Sequence, residues 1–208
     1  MRQVSTVRGK AIPLDRVNVD TDQIIPAKHL KRLERTGYGP FAFEAWRNDP
    51  DFVLNDSAYD GATIMLTRHN FGSGSSREHA VWALEGLGIR ALVGVGFADI
   101  FKNNCFQGGV LTVELPEEDI DFLMERSIAT PNAELTVDLP TQTVSTDDDS
   151  WSRGFDIDPF RKYRLQSGLD DITMTLEYAS DISAYEENRD PNLPTTTKTQ
   201  ESNIRWRG

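Results

Sequence analysis

The chain holds a single cysteine, Cys105, among 208 residues. One thiol cannot close an internal disulfide, and it cannot build a Cys-rich zinc or iron–sulfur site. Histidine is almost as scarce, with only His29, His69 and His79. No stretch approaches the ~18 apolar residues of a membrane span. The first residues, MRQVSTVRGKAIPLDR, lack a hydrophobic signal core, so the cytoplasm is the expected compartment. Excess positive charge is missing too: 22 Lys and Arg against 33 Asp and Glu leave a net −11. Such a chain is not expected to grip nucleic acid non-specifically or to lie on an anionic membrane. What remains is a globular composition, 38% hydrophobic with 10 Phe and 4 Trp, of a length that suits one domain.

Periodicity predicts an α/β organisation. Residues 4–14 read as a strand with a polar bend at Arg8-Gly9-Lys10. A loop follows through Asp20-Thr21-Asp22 to Ile24-Ile25-Pro26, its Asp and Thr side chains suited to turns. Residues 36–55, rich in aromatics, read as an irregular packed excursion with a short helix near 41–46. Then come an apolar strand at 62–67, a Gly-rich loop at 70–76, a helix at 77–87 and a strand at 89–97, which together make a βαβ unit. A short helix near 100–106, a strand at 110–115 and a helix from Pro116 to about Arg126 continue the pattern. Residues 134–139 alternate as a half-buried strand, and Pro140-Thr141-Gln142 suits a hairpin turn. Residues 146–150 read as a solvated loop. Asp158-Pro159 opens a helix that Gly168 closes, with Phe160 and Tyr163 expected on its inner side. Asp170 and Ser180 look like caps of two more short helices. One domain is expected over residues 1–188, followed by a flexible tail at 189–208 that carries Pro, Thr, Asn and charge without periodicity.

The stretch Asn70-Phe71-Gly72-Ser73-Gly74-Ser75-Ser76-Arg77-Glu78-His79 carries the chemistry. It feeds a helix N-terminus, where free N–H groups and the macrodipole favour an anion. Arg77 in that first turn opposes the dipole, and an anionic ligand would justify it, because guanidinium offers a planar fork to a carboxylate. The familiar Gly-rich signatures fail. There is no Gly-Lys-Ser/Thr as in a P-loop, and the position a dinucleotide fingerprint reserves for Gly or Ala is Arg77. No serine has the flanking glycines of a nucleophile elbow. Ser75 and Glu78 have the spacing of a capping box, with Ser75 as the N-cap. The same helix N–H groups and Arg77 would also ease formation of an alkoxide on Ser75, which a seryl base requires.

The run RHNFGSGSSREH resembles the loop of the aconitase superfamily, with Ser73 standing where aconitase loops have Glu. The continuation GIRALVGVGFADIFKNNCFQGGVL, the upstream VNVDTDQIIPAKHL and the later FDIDPFRKYRLQSGLDDITMTL resemble the bacterial small-subunit branch of the 3-isopropylmalate dehydratases, in order, across residues 4–187. The resemblance implies the swivelling β/β/α fold of the aconitase mobile domain. It implies a hydro-lyase of leucine biosynthesis that is active only with a large subunit carrying a [4Fe–4S] cluster, with no metal held by this chain. Carried over by position, Ser75 is the base, Arg77 binds substrate carboxylate and Ser76 also contacts substrate. The resemblance also implies that the loop after DTDQIIPA contacts the variable substituent of a small dicarboxylate substrate. Leu30 there suits an isopropyl group, His29 can reach the site on closure, and Lys31 or Arg32 would instead suit a third carboxylate. A homoaconitase-like or citraconate/methylmalate-type relative therefore stays open, as does a non-catalytic module that merely captures an anion.

Other residues have plainer expected roles. Asp20 and Asp22 are turn formers before they are metal ligands. His79 serves structure before acid catalysis, and His69 ends a strand. Cys105 is a small buried apolar residue, Trp82 belongs to the core or a subunit interface, and Asp147–Asp149 are only solvated.

Overall fold

Residues 2–32 and 34–190 are described by a computed structural model of the chain. Among the described residues, seven strands form one sheet in the order β4-β3-β2-β1-β5-β6-β7. The first four are β1 (Thr6–Leu14), β2 (Ile64–Thr67), β3 (Ala91–Gly94) and β4 (Leu111–Glu114), and they run parallel. The others, β5 (Glu134–Asp138), β6 (Thr143–Thr146) and β7 (Ser152–Gly154), continue antiparallel from β1. Because successive side chains of a strand face opposite ways, each central strand feeds two cores. Met65 and Leu92 belong to one, with helices α2 (Glu78–Gly86) and α3 (Asp99–Gly108). Ile64, Leu66, Ala91 and Val93 belong to the other, with helix α4 (Glu117–Ala129). Such double burial is why β2 and β3 read as continuous apolar runs rather than alternating ones.

Between β1 and β2 the described residues hold the short helix α1 (Thr21–Ile24) and five 3₁₀ turns. Asp20 caps α1 through a full capping box with Gln23, where the sequence suggested only a loop. The helix expected near 41–46 resolves into two 3₁₀ turns, Gly39–Phe41 and Trp46–Asn48. Tyr38 and Phe43 are fully buried there. Phe43 stacks on Trp46 at 5.6 Å, and Trp46 meets Phe52 edge-on at 5.6 Å. Aromatic burial rather than helical hydrogen bonding therefore holds this excursion.

Three further expectations change. Strand β7 went unread because its three residues are all exposed and show no alternation. In α5 (Pro159–Ser167) Asp158 caps the helix as expected, accepting from the Arg161 N–H. Its inner residues, however, are Arg164 and Leu165, while Phe160 and Tyr163 are 55% and 48% exposed. Leu165 takes the apolar position, and the Arg164 guanidinium lies 4.9 Å from the Phe106 ring centroid, so a long cationic stem covers an aromatic surface. The acidic run at 147–149 also has partners. Asp147 and Asp148 pair with Arg126 at 2.6 and 3.2 Å, and hydroxyl bonds from Thr146 and Ser150 hold the Asp148 carboxyl far below the usual range.

The contacts divide the chain into two compact units, the first ending at Asp170. The second unit contains α6 (Asp171–Leu176) and α7 (Ala179–Asn188). Most of the expected tail, residues 191–208, lies outside the described residues. Among the described residues, no helix is long and apolar enough to cross a membrane.

Candidate active site

Strands β1, β2 and β3 are parallel, so the loops leaving their C-terminal ends share one edge of the sheet, where open α/β folds place their ligands. Two of these loops are zipped together. The N–H groups of Gly72 and Ser73 donate to the Val19 carbonyl at 2.7 and 3.2 Å, and the Thr21 N–H donates to the Ser73 carbonyl at 2.9 Å. Asn70 donates to the Asn18 side chain at 3.0 Å. From the third loop, the Ala98 N–H donates to the Phe71 carbonyl at 3.0 Å. Phe71 is fully buried and meets Phe101 of α3 edge-on at 5.4 Å. The loop is thus anchored by an aromatic plug beneath it and by segment 19–22 beside it.

That segment addresses the Gly-Ser loop residue by residue. Asp20 bridges Ser73. The Thr21 hydroxyl donates to the Ser75 carbonyl at 3.1 Å and lies 3.4 Å from the Ser75 hydroxyl. The Asp22 carboxylate pairs with Arg77. The expected capping box consequently does not form. Helix α2 begins at Glu78, its N-cap is Arg77 in an extended conformation, and no side chain caps it. Thr21 and Asp22 hold Ser75 and Arg77 along the neighbouring segment instead of letting residues 75–77 wind into the helix. Ser75 and Ser76 are exposed, and the first-turn N–H groups of α2 have no side-chain acceptor. Arg77, whose side chain is 17% exposed, already has a carboxylate within its own chain, so the dipole conflict noted in the sequence is answered in part by Asp22.

The segment expected to read the substrate lies in the 3₁₀ turn Ala27–Lys31. His29 is engaged elsewhere: it bonds Glu44 at 2.7 Å and stacks on Phe41 at 4.1 Å. Lys28 and then His29 hold the Glu44 carboxyl below its ordinary value. Leu30 is half-buried and Lys31 exposed. Arg32 lies over the Phe41 and Tyr38 rings at 5.1 and 5.5 Å. Among the described residues, no side-chain hydrogen bond or ion pair joins residues 28–32 to Ser75, Ser76 or Arg77.

Sequence reasoning missed Thr21 as a partner of Ser75 and Asp22 as the partner of Arg77. The DTD triplet was visible, but nothing local links residues 54 and 55 positions apart. Cys105 is fully buried, and burial pushes its thiol well up, so it is chemically inert. Among the described residues, no group of three or more His, Cys, Asp or Glu could hold a metal ion. A cavity of ≈ 380 Å³ lies away from Ser75, lined by residues that include Lys102, Phe106, Glu114 and Arg161.

His79 follows the loop in α2 and packs against Trp82 at 4.6 Å and edge-on to Tyr38 at 5.4 Å. Burial holds its imidazole below the ordinary value of 6.5, against an opposing pull from Glu78, and the Arg77 charge adds to the lowering. Below pH 6.5 the unfolded chain takes up this proton before the folded one does. Stability from this group is therefore intact above that pH and is lost as pH falls toward the lowered folded value. The urea midpoint should drop between pH 7.5 and 5.5, and His79→Phe should flatten that drop. Parallel curves for the two proteins would refute this role for His79.

The family pattern described as the Aconitase C-terminal domain matches residues 1–118, and the LeuD_N pattern matches residues 121–159. The 3-isopropylmalate dehydratase small subunit of Rubrobacter xylanophilus is 50% identical over 194 residues, covering 93% of this chain and 98% of its own. The small subunit of the same name from Aromatoleum aromaticum is 47% identical, again covering 93% and 98%. The crystal structure of 3-isopropylmalate dehydratase from Methanocaldococcus jannaschii, 21% identical, shares the fold with a TM-score of 0.64, covering 86% of this chain and 99% of that one.

Proposed function

The chain belongs to the family of 3-isopropylmalate dehydratase small subunits, and from that membership we propose that its Gly-Ser loop is one half of a dehydratase active site. It acts with a large subunit as a hydro-lyase of leucine biosynthesis, interconverting 2-isopropylmalate and 3-isopropylmalate. One observation carries the assignment of roles: Ser75 and Arg77, two residues apart on one loop, are held by neighbouring residues of another segment, Ser75 by Thr21 and Arg77 by Asp22. Ser75 is the base that removes the proton from the carbon next to a carboxylate, and it returns that proton in the reverse direction. An alkoxide is costly in water, and the Arg77 charge together with the uncapped N–H groups of α2 lowers that cost. Arg77 meets Asp22 through one guanidinium nitrogen. A guanidinium carries five N–H donors, so it has donors left for a substrate carboxylate, which Ser76 also contacts.

Leu30 faces the isopropyl group of the small dicarboxylate substrate. Lys31 is the residue through which a tricarboxylate relative would bind. His29 shapes this segment through Glu44 rather than touching substrate. The chain's own residues do not fit the [4Fe–4S] cluster that the family implies, because its one cysteine is fully buried. The cluster is assigned to the large subunit. The chain's place is the cytoplasm, a reading that the absence of any disulfide within it suits, since Cys105 is its one cysteine.

The chain alone should show no hydratase activity. Combined with its cluster-loaded large subunit, it should turn over isopropylmalate and prefer it to homocitrate- and citrate-type acids. An inactive pair with an intact cluster would overturn the roles given to this loop, and a preference for a tricarboxylate would overturn the Leu30 assignment.

A further inference from the structure

The Thr21 side chain has a position that its place in a turn does not explain. Thr21 is only 1% exposed, and its hydroxyl reaches two atoms of one residue, the Ser75 carbonyl at 3.1 Å and the Ser75 hydroxyl at 3.4 Å. A threonine hydroxyl has one proton and two lone pairs. With Ser75 neutral, that proton goes to the Ser75 carbonyl, and the Ser75 hydroxyl proton can point at Thr21 Oγ1. Once Ser75 is ionised it can only accept, and a hydrogen bond to a charged oxygen is about twice as strong as one between neutral groups.

We propose that Thr21 is a positioning residue for Ser75: it holds the seryl oxygen in place and turns its own proton from the Ser75 carbonyl to the Ser75 alkoxide. The inference rests on Ser75 being the base. No proton leaves Thr21. Ser75 enters the dehydration as the alkoxide and ends it as the hydroxyl: it takes a proton from the substrate carbon, whose bonding pair stays with the substrate, and gives that proton back to carbon on rehydration, which restores the alkoxide. While Ser75 is neutral, Thr21 returns its own proton to the carbonyl. Ser75 is an exposed residue, so water can serve its carbonyl while the proton is away. Thr21 suits this task because it is β-branched and its χ1 freedom is restricted. It also begins a helix whose N-cap Asp20 is locked by a reciprocal pair of bonds with Gln23. The charged groups around Ser75 are Asp20 at the cap of α1 and Asp22 within it, and Arg77, Glu78 and His79 at the start of α2. All of them are retained in the variants below.

The test uses the assembled pair with isopropylmalate. Thr21→Val keeps the branched shape and removes the hydroxyl. It should lower kcat at least tenfold, leave KM within about threefold, and move the acidic limb of the kcat–pH profile to higher pH, since the alkoxide has lost a donor. Thr21→Ser should restore kcat and the profile to within a few-fold of the parent. Should Thr21→Val fail to assemble, Thr21→Ala is read in its place with the same expectations. If the hydroxyl only packs the loop, the melting temperature will fall while the pH profile stays, and that result overturns the proposal. Ser75→Ala separates the two levels. An active Ser75→Ala pair removes the base assignment itself, whereas an inactive one beside a normal Thr21→Val pair overturns only the role of Thr21.

Discussion

Ser75→Ala should reduce kcat of the assembled enzyme by roughly 10²–10⁴, the range that a positioned general base supplies, while leaving the fold intact. The structure sharpens the second half of this expectation. Had Ser75 capped α2, its loss would cost about 1 kcal/mol. The N-cap is instead Arg77, no side chain caps the helix, and Ser75 is exposed. A surface change of this kind stays within about 0.5 kcal/mol. Urea denaturation of the chain alone and kcat of the pair therefore separate cleanly, with stability near the parent's and turnover collapsed. A loss of a full kcal/mol with activity retained would mean that the serine serves the fold and not the reaction.

Gly72→Ala should have the largest effect on stability. A methyl group added there would stand 2.1 Å from Phe101 Cγ, 2.4 Å from Cδ1 and 2.6 Å from Cβ. Phe101 is itself 2% exposed and wedged against Phe71, so it has nowhere to go. Gly72 also has φ +79°, a region that costs an L-residue roughly 1–2 kcal/mol, and overpacking a filled core adds about 1–3 kcal/mol. The expected loss is about 2–5 kcal/mol, with activity falling as the loop that carries Ser75 shifts. Gly74→Ala is the control. Its φ is +91°, but the nearest atoms to the new methyl are 3.6 and 3.7 Å away, so only the backbone strain of about 1–2 kcal/mol remains. Thermal or urea unfolding of both variants decides the point. If the Gly74 variant is the less stable of the two, the clash with Phe101 is not what governs this loop.

Legibility in the sequence followed locality. Strands β2, β3 and β4 and helices α2 and α4 were readable within a few residues, because each carries its own apolar run or stripe. The end of α5 was readable from Gly168, which takes the left-handed cap. The inner face of α5 was misread because Phe160 and Tyr163 are apolar by composition, yet the cap at Asp158 fixes the phase of a nine-residue helix and turns Leu165 inward. Strand β7 and helix α1 carry no periodic signal at three and four residues. The candidate site divides the same way. Ser75, Ser76 and Arg77 stood out as a contiguous Gly-Ser-Arg run before a helix, whereas Thr21 and Asp22 looked like ordinary turn formers.

Residue identity alone led to the expectation that this chain does not supply the ligands of a cluster, since it has one cysteine. It also determined that the chain carries a serine and an arginine in an anion-favouring loop, and that the loop lies in a βαβ unit. Those properties depend on residue identity and on spacings of a few residues. It took the folded chain to show that Ser75 does not cap α2, that Asp22 pairs with Arg77, that His29 bonds Glu44 and that the buried Thr21 hydroxyl lies next to Ser75. The physical reason is common to all but His29. Parallel strands bring the ends of β1 and β2 to one edge of the sheet, and hydrogen bonds between the two loops they release outcompete the local cap that residues 75–78 could have made alone.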